Sequence, residues 1–117
     1  MEFTKKEQYA VAYVVEEMLT YGSGSFIEVA TAESLLDKIG FDRSSEKCPS
    51  MIFQDAINQI KPMPIEKKKS IVAILANIMV ADGSIKLEKQ KWLNTVTYYC
   101  NMPTMNWDEA WKTIDLL

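Results

Sequence analysis

The segment from Ile71 to Ala81 is apolar at every position except Asn77, and it is bracketed by Pro64 on one side and Asp82-Gly83 on the other. Wound into a helix, such a run shows hydrophobic side chains all round its axis, so the helix has to be enclosed. A bilayer does not serve, because a spanning helix needs about 20 apolar residues. The wall must come from the rest of the chain. At 117 residues the chain has the size of one domain, large enough to bury a core without disulfides or metal.

The flanking sequence supplies helices for that wall. Thr4-Lys5-Lys6-Glu7 has the spacing of a capping box. It opens a helix carrying Tyr9 to Val15, Met18 and Leu19, apolar nearly all round like the 71–81 run. Gly22-Ser23-Gly24-Ser25 ends it in a flexible loop, after which Thr31 caps a second helix over 32–39 and Gly40 stops it. Pro49 lies in the first turn of a third helix that runs through Met51, Ile52, Phe53, Ala56, Ile57 and Ile60, spaced for a helix and not for a strand. Lys61-Pro62-Met63-Pro64 breaks it, and Pro64 opens the fourth. A fifth helix runs from about Leu87 to Cys100 and buries Trp92, Leu93, Val96 and Tyr99 or Cys100; one of the neighbours Tyr98 and Tyr99 faces out. Pro103 stops it, and Asn106-x-x-Glu109 opens a last helix with Trp107, Trp111 and Ile114 in one stripe. The fold class is all-α: one domain over 1–117, five to seven helices, with the first and fourth at the centre.

Composition narrows the chemistry. The chain has no histidine, which removes Ser-His-Asp and Cys-His nucleophile pairs, imidazole general bases and His-containing zinc sites. Cys48 and Cys100 form no C-x-x-C pair and read as free thiols of a reducing compartment. The first residues lack the apolar stretch of a secretory signal, and the expected location is the cytoplasm. Residues 61–91 hold seven lysines against three acids, in two groups at opposite ends of the fourth helix, where they read as solvated helix ends. With a net charge of −3 and Arg43 as the single arginine, nucleic-acid binding is not expected; a weak contact with an anionic membrane surface stays open.

One local motif remains. Ala81-Asp82-Gly83-Ser84-Ile85-Lys86-Leu87-Glu88 joins the fourth and fifth helices: Gly83 permits a tight turn, Ile85 is placed to plug beneath it, and Glu88 falls in the first turn of the next helix. It is not an EF-hand. Aligning Gly83 with the invariant glycine puts Ile78 and Val80 at the first and third ligand positions and Lys89 at the last.

An apolar helix followed by Ala81, Asp82, Gly83, Ile85, Glu88, Trp92 and Leu93 in this spacing resembles the tellurite-resistance TerB-like family, over about residues 71–96. The resemblance implies an all-helical fold of two similar halves, each with an acidic loop. A first copy would lie over 21–36, with Ile27 or Val29 as plug, Glu33 as first-turn acid and Leu35-Leu36 as the apolar pair. That copy lacks an Asp before its glycine, and Lys86 stands where the second loop would carry a small polar residue.

The family likeness also implies weak binding of a divalent cation, calcium or magnesium, through Asp82 and Glu88, joined by Glu33 or by Glu16-Glu17 on the first helix. It implies a non-catalytic role in tellurite or envelope-stress response, exercised through a protein partner or a second copy of the chain. Tyr98 and Trp111 are the candidate contact residues. Two other classes stay open: a small acidic inhibitor of the immunity-protein type, and an enzyme working with Asp, Glu, Lys or Tyr alone.

Overall fold

In a computed structural model that describes residues 1–117, six helices follow one another without a strand: α1 Lys5–Thr20, α2 Phe26–Lys38, α3 Phe53–Ile60, α4 Ile65–Met79, α5 Leu87–Tyr99 and α6 Trp107–Asp115. Their packing makes one compact all-α domain with a radius of gyration of 12.7 Å. From Ser70 to Met79 every side chain of α4 is buried. The one polar interruption of its apolar run, Asn77, donates from Nδ2 to the carbonyl of Ala73 at 2.7 Å, so it satisfies itself within the helix. Each of Ile71, Ile74, Leu75 and Ile78 is fully enclosed, worth about 2 kcal/mol apiece in area removed from water.

α1 is enclosed over Ala10–Ala12, Val14, Val15 and Met18. It packs chiefly on α3, and α4 packs chiefly on α6; α2 and α5 each touch both α1 and α4. No helix is long and apolar enough to cross a membrane.

Helix starts follow local chemistry. The Thr4 hydroxyl accepts from Glu7 N at 3.2 Å while Glu7 Oε1 accepts from Thr4 N at 2.8 Å, closing the capping box. Pro64 caps α4, and Asn106 Oδ1 accepts from Glu109 N at 2.9 Å at the start of α6.

Several expectations are corrected. α2 begins at Phe26 with Ser25 as its cap, not at Ala32 with Thr31. The reason lies in Ser25-Phe26-Ile27-Glu28, where the Ser25 hydroxyl accepts from Glu28 N at 3.3 Å. α3 begins at Phe53, and Asp55 Oδ2 accepts from Ile52 N at 3.0 Å. Ile85 and Ile27 are about half exposed and plug nothing. Tyr98 and Tyr99 both face solvent, and Cys100 takes the interior position. Trp107 and Trp111 of α6 are also exposed; Ala110 is what that helix buries. Two of the lysines read as solvated are enclosed: Lys68, whose Nζ donates to Asn101 O at 3.2 Å, and Lys89.

Candidate functional site

The α1–α2 loop and the α4–α5 loop lie side by side. The Ser23 hydroxyl of the first donates to Asp82 Oδ2 of the second at 2.9 Å. Asp82 Oδ1 accepts from Ser84 N and Ser84 Oγ, both at 3.1 Å, so the carboxylate fixes its own turn as well as the neighbouring loop. The Ser84 backbone N–H and the Ser23 hydroxyl together hold the Asp82 carboxyl far below the ordinary carboxylate range. Gly83 supplies the left-handed residue of this turn, at φ 82°.

Beneath the loops is a fully buried ion pair. Glu28 sits in the first turn of α2 and Lys89 in the first turn of α5, and neither side chain exposes any surface. Lys89 Nζ donates to Glu28 Oε2 at 3.2 Å and lies 3.6 Å from Asp82 Oδ1. The other carboxylate oxygen, Glu28 Oε1, is buried without a hydrogen-bond partner. It lies against Gly22, where a β-carbon would come within 1.8 Å of it. A glycine at position 22 is thus the condition for Glu28 to reach inward.

Beside this junction runs a band of aromatic rings. Tyr21, at the end of α1, has its ring centroid 6.1 Å from that of Trp92 on α5; Trp92 is 5.0 Å from Phe53 of α3. Phe53 meets Tyr99 edge-on at 6.0 Å, and Tyr99 meets Tyr98 edge-on at 5.1 Å. Trp92 Nε1 donates to Val14 O at 2.8 Å, which anchors the middle of the band to α1. Its outer end is free: Tyr99 is 54% exposed and Tyr98 79%. A cleft of about 220 Å³ lined by Tyr21, Glu88, Lys91, Trp92 and Thr95 opens at the other end.

The residues singled out by sequence are dispersed. Asp82 belongs to the loop junction. Glu88 is exposed and lines the cleft. Glu33 lies well along α2 and not in its first turn, where its Oε1 pairs with Arg43 Nη1 at 3.1 Å; Arg43 Nε also meets Glu16 Oε1 at 2.5 Å. Hard cations want six to eight oxygens on one centre. No three Asp, Glu, Cys or His side chains are gathered in that way, and an ammonium already stands between Glu28 and Asp82. Asp82, Glu88 and Glu33 are not gathered around one centre. Tyr98 ends the aromatic band, while Trp111 is on α6, outside it.

Glu28, Lys89, Tyr21, Phe53 and Trp92 complete the two features without having been singled out as site residues. Two of them carry a local signal: Glu28 through the Ser-x-x-Glu spacing from Ser25, and Trp92 as part of the motif that follows Asp82-Gly83.

No family model and no curated protein sequence matches the chain. Among solved structures, the chain is similar to the crystal structure of a protein of unknown function from Porphyromonas gingivalis W83. The two share 24% sequence identity with a TM-score of 0.82, over 98% of this chain and 92% of that one. The likeness is one of fold.

Proposed function

We propose that the chain is a non-catalytic interaction module whose aromatic band, from Tyr21 to Tyr98, is the face offered to a protein partner. The observation that carries this reading is the outer end of the band. Tyr98 and Tyr99 stand in solvent on a helix whose interior positions are already taken by Val96 and Cys100, so the fold does not require their rings. Tyrosine and tryptophan, with arginine, are enriched among the few residues that dominate binding energy at interfaces, and their rings supply large rigid area.

Support for a non-catalytic role comes from how the polar groups are used. Asp82 is occupied by Ser23, Ser84 and Lys89, and Glu28 by Lys89. The cleft beside Trp92 holds one carboxylate, Glu88, and one ammonium, Lys91, with no hydroxyl–base pair of the kind that activates a nucleophile.

We also propose that the two loops mark two related halves, as the TerB-like resemblance implies. In support, α1–α2 and α4–α5 are each a helix pair around a Gly/Ser-containing loop, each long inner helix packs on its own third helix, and Glu28 and Lys89 are the third residues of α2 and α5. A tellurite or envelope-stress setting belongs to the same proposal.

The test is a Tyr98→Ala/Tyr99→Ala variant. It should keep wild-type helicity and lose the proteins that co-purify with the wild-type chain from its native cells. Retention of the same partners would refute the band as the contact face. A strongly basic enzyme as the partner lost would assign the module to inhibition, in keeping with its net charge of −3.

A further inference from the structure

We propose that the Lys89 ammonium is a built-in replacement for a bound cation: it takes the place between the Glu28 and Asp82 carboxylates that a hard metal ion would take. The junction is therefore closed without divalent metal, and removing the ammonium while keeping the oxygens converts it into a divalent-cation site.

The oxygens come from both loops. Asp82 brings two, one on Ser23 Oγ and one on Ser84 N and Oγ, and the two serine hydroxyls sit within 2.9 and 3.1 Å of that carboxylate. Glu28 brings two more, of which Oε1 has no partner although it is buried. A carboxylate has about four lone-pair sites, and each of its oxygens ordinarily finds at least one partner when enclosed. Here a single donor, 3.2 Å away, serves only Oε2, and the same nitrogen stands 3.6 Å from Asp82.

Two carboxylates and one ammonium leave the cluster with a net charge of −1, one positive charge short of neutral. An ion that bound Glu28 through both oxygens would use the atom that Lys89 leaves idle. Calcium accepts such flexible, partly bidentate carboxylate and hydroxyl sets at 2.3–2.6 Å, and magnesium demands a tighter octahedron. The wild-type chain excludes either by charge, since the covalently tethered ammonium already holds the centre.

Lys89→Glu would set a third carboxylate against Glu28 and Asp82; Lys89→Ala would leave two and an open space. The experiment measures melting temperature of the wild type and both variants with EDTA, and with millimolar calcium, magnesium or manganese chloride. The wild type should melt at the same temperature in every condition. Lys89→Glu should melt far lower in EDTA and regain about 5 °C or more with at least one cation, and Lys89→Ala should show a smaller shift in the same direction. Adding Asp82→Asn to either variant should abolish the shift.

Three results would overturn the inference. One is a cation-dependent rise in the wild type that disappears with Asp82→Asn. Another is the absence of any cation response in both Lys89 variants, whether folded or not. The third is a response in Lys89→Glu that survives Asp82→Asn.

Discussion

A methyl group at Gly22 would meet a carboxylate that has nowhere to go. Glu28 Oε1 would be 1.8 Å from the new carbon, and its other oxygen is held by Lys89 in a site without solvent. Gly22→Ala should therefore cost about 2 kcal/mol or more, by pushing Glu28 off its partner. Gly24→Ala has open space around it and pays only for its left-handed backbone, φ 71°, about 1 kcal/mol. Urea melts of the two variants check the order; equal losses would mean that Glu28 is not pinned.

Removing one member of a buried pair is costlier than removing both, because it strands a charge. Lys89→Met alone should lose about 3 kcal/mol or more, and Glu28→Leu/Lys89→Met should recover most of it. The two cysteines differ in a way that alkylation can read. Burial pushes the Cys100 thiol up to about 11 and raises Cys48 as well, but Cys100 is enclosed whereas Cys48 is half-buried. In the native protein Cys48 should react first, slowly, and Cys100 only on unfolding; fast native labelling of Cys100 would contradict its enclosure.

At the level of elements, the sequence was most legible where a helix start is written in a few adjacent residues. Thr4 with Glu7, Pro64, and Asn106 with Glu109 each mark a start that the structure keeps. α2 starts earlier than its sequence suggests: Gly22 to Ser25 reads as flexible loop and Thr31 as a cap, yet Ser25 already closes on Glu28 N. Thr31 is inside the helix, its hydroxyl donating back to Ile27 O at 2.7 Å. Ser25→Ala should accordingly cost about 1 kcal/mol and Thr31→Ala much less, a contrast that thermal melts resolve. The reverse order would restore Thr31 as the cap.

Charge defeated a purely local reading for a different reason. A first-turn Glu and a lysine near it normally serve the helix dipole and water. That Glu28 and Lys89 instead meet inside the molecule depends on two helices 61 residues apart in sequence, which no spacing rule within a segment can encode. The aromatic band has the same origin: its rings come from α1, α3 and α5.

For the whole molecule, the loop junction makes acid a specific solvent stress. The folded-state pKa of Asp82 is depressed, so its stabilisation is complete above the unfolded value near pH 4 and is lost as pH falls toward the folded one. The carboxyls of Glu7, Asp42 and Glu46 are lowered too and act in the same direction. Melting temperature should fall steeply below about pH 4, and Asp82→Asn should be less stable at neutral pH with a shallower fall in that acid window. An unchanged slope would show that Asp82 does not link the loops. The junction holds one end of the band in place, since Tyr21 immediately precedes Gly22 and Trp92 follows Lys89 on α5. The band thereby holds a fixed shape for partner contact. Site-specific photo-cross-linking in the native cells tests that contact, with a photoreactive side chain at Tyr98 in one sample and at the exposed Ser34 of α2 in another. Position 98 should yield one discrete cross-linked protein and position 34 none. Equal capture at both positions, or capture at Ser34 alone, would contradict it.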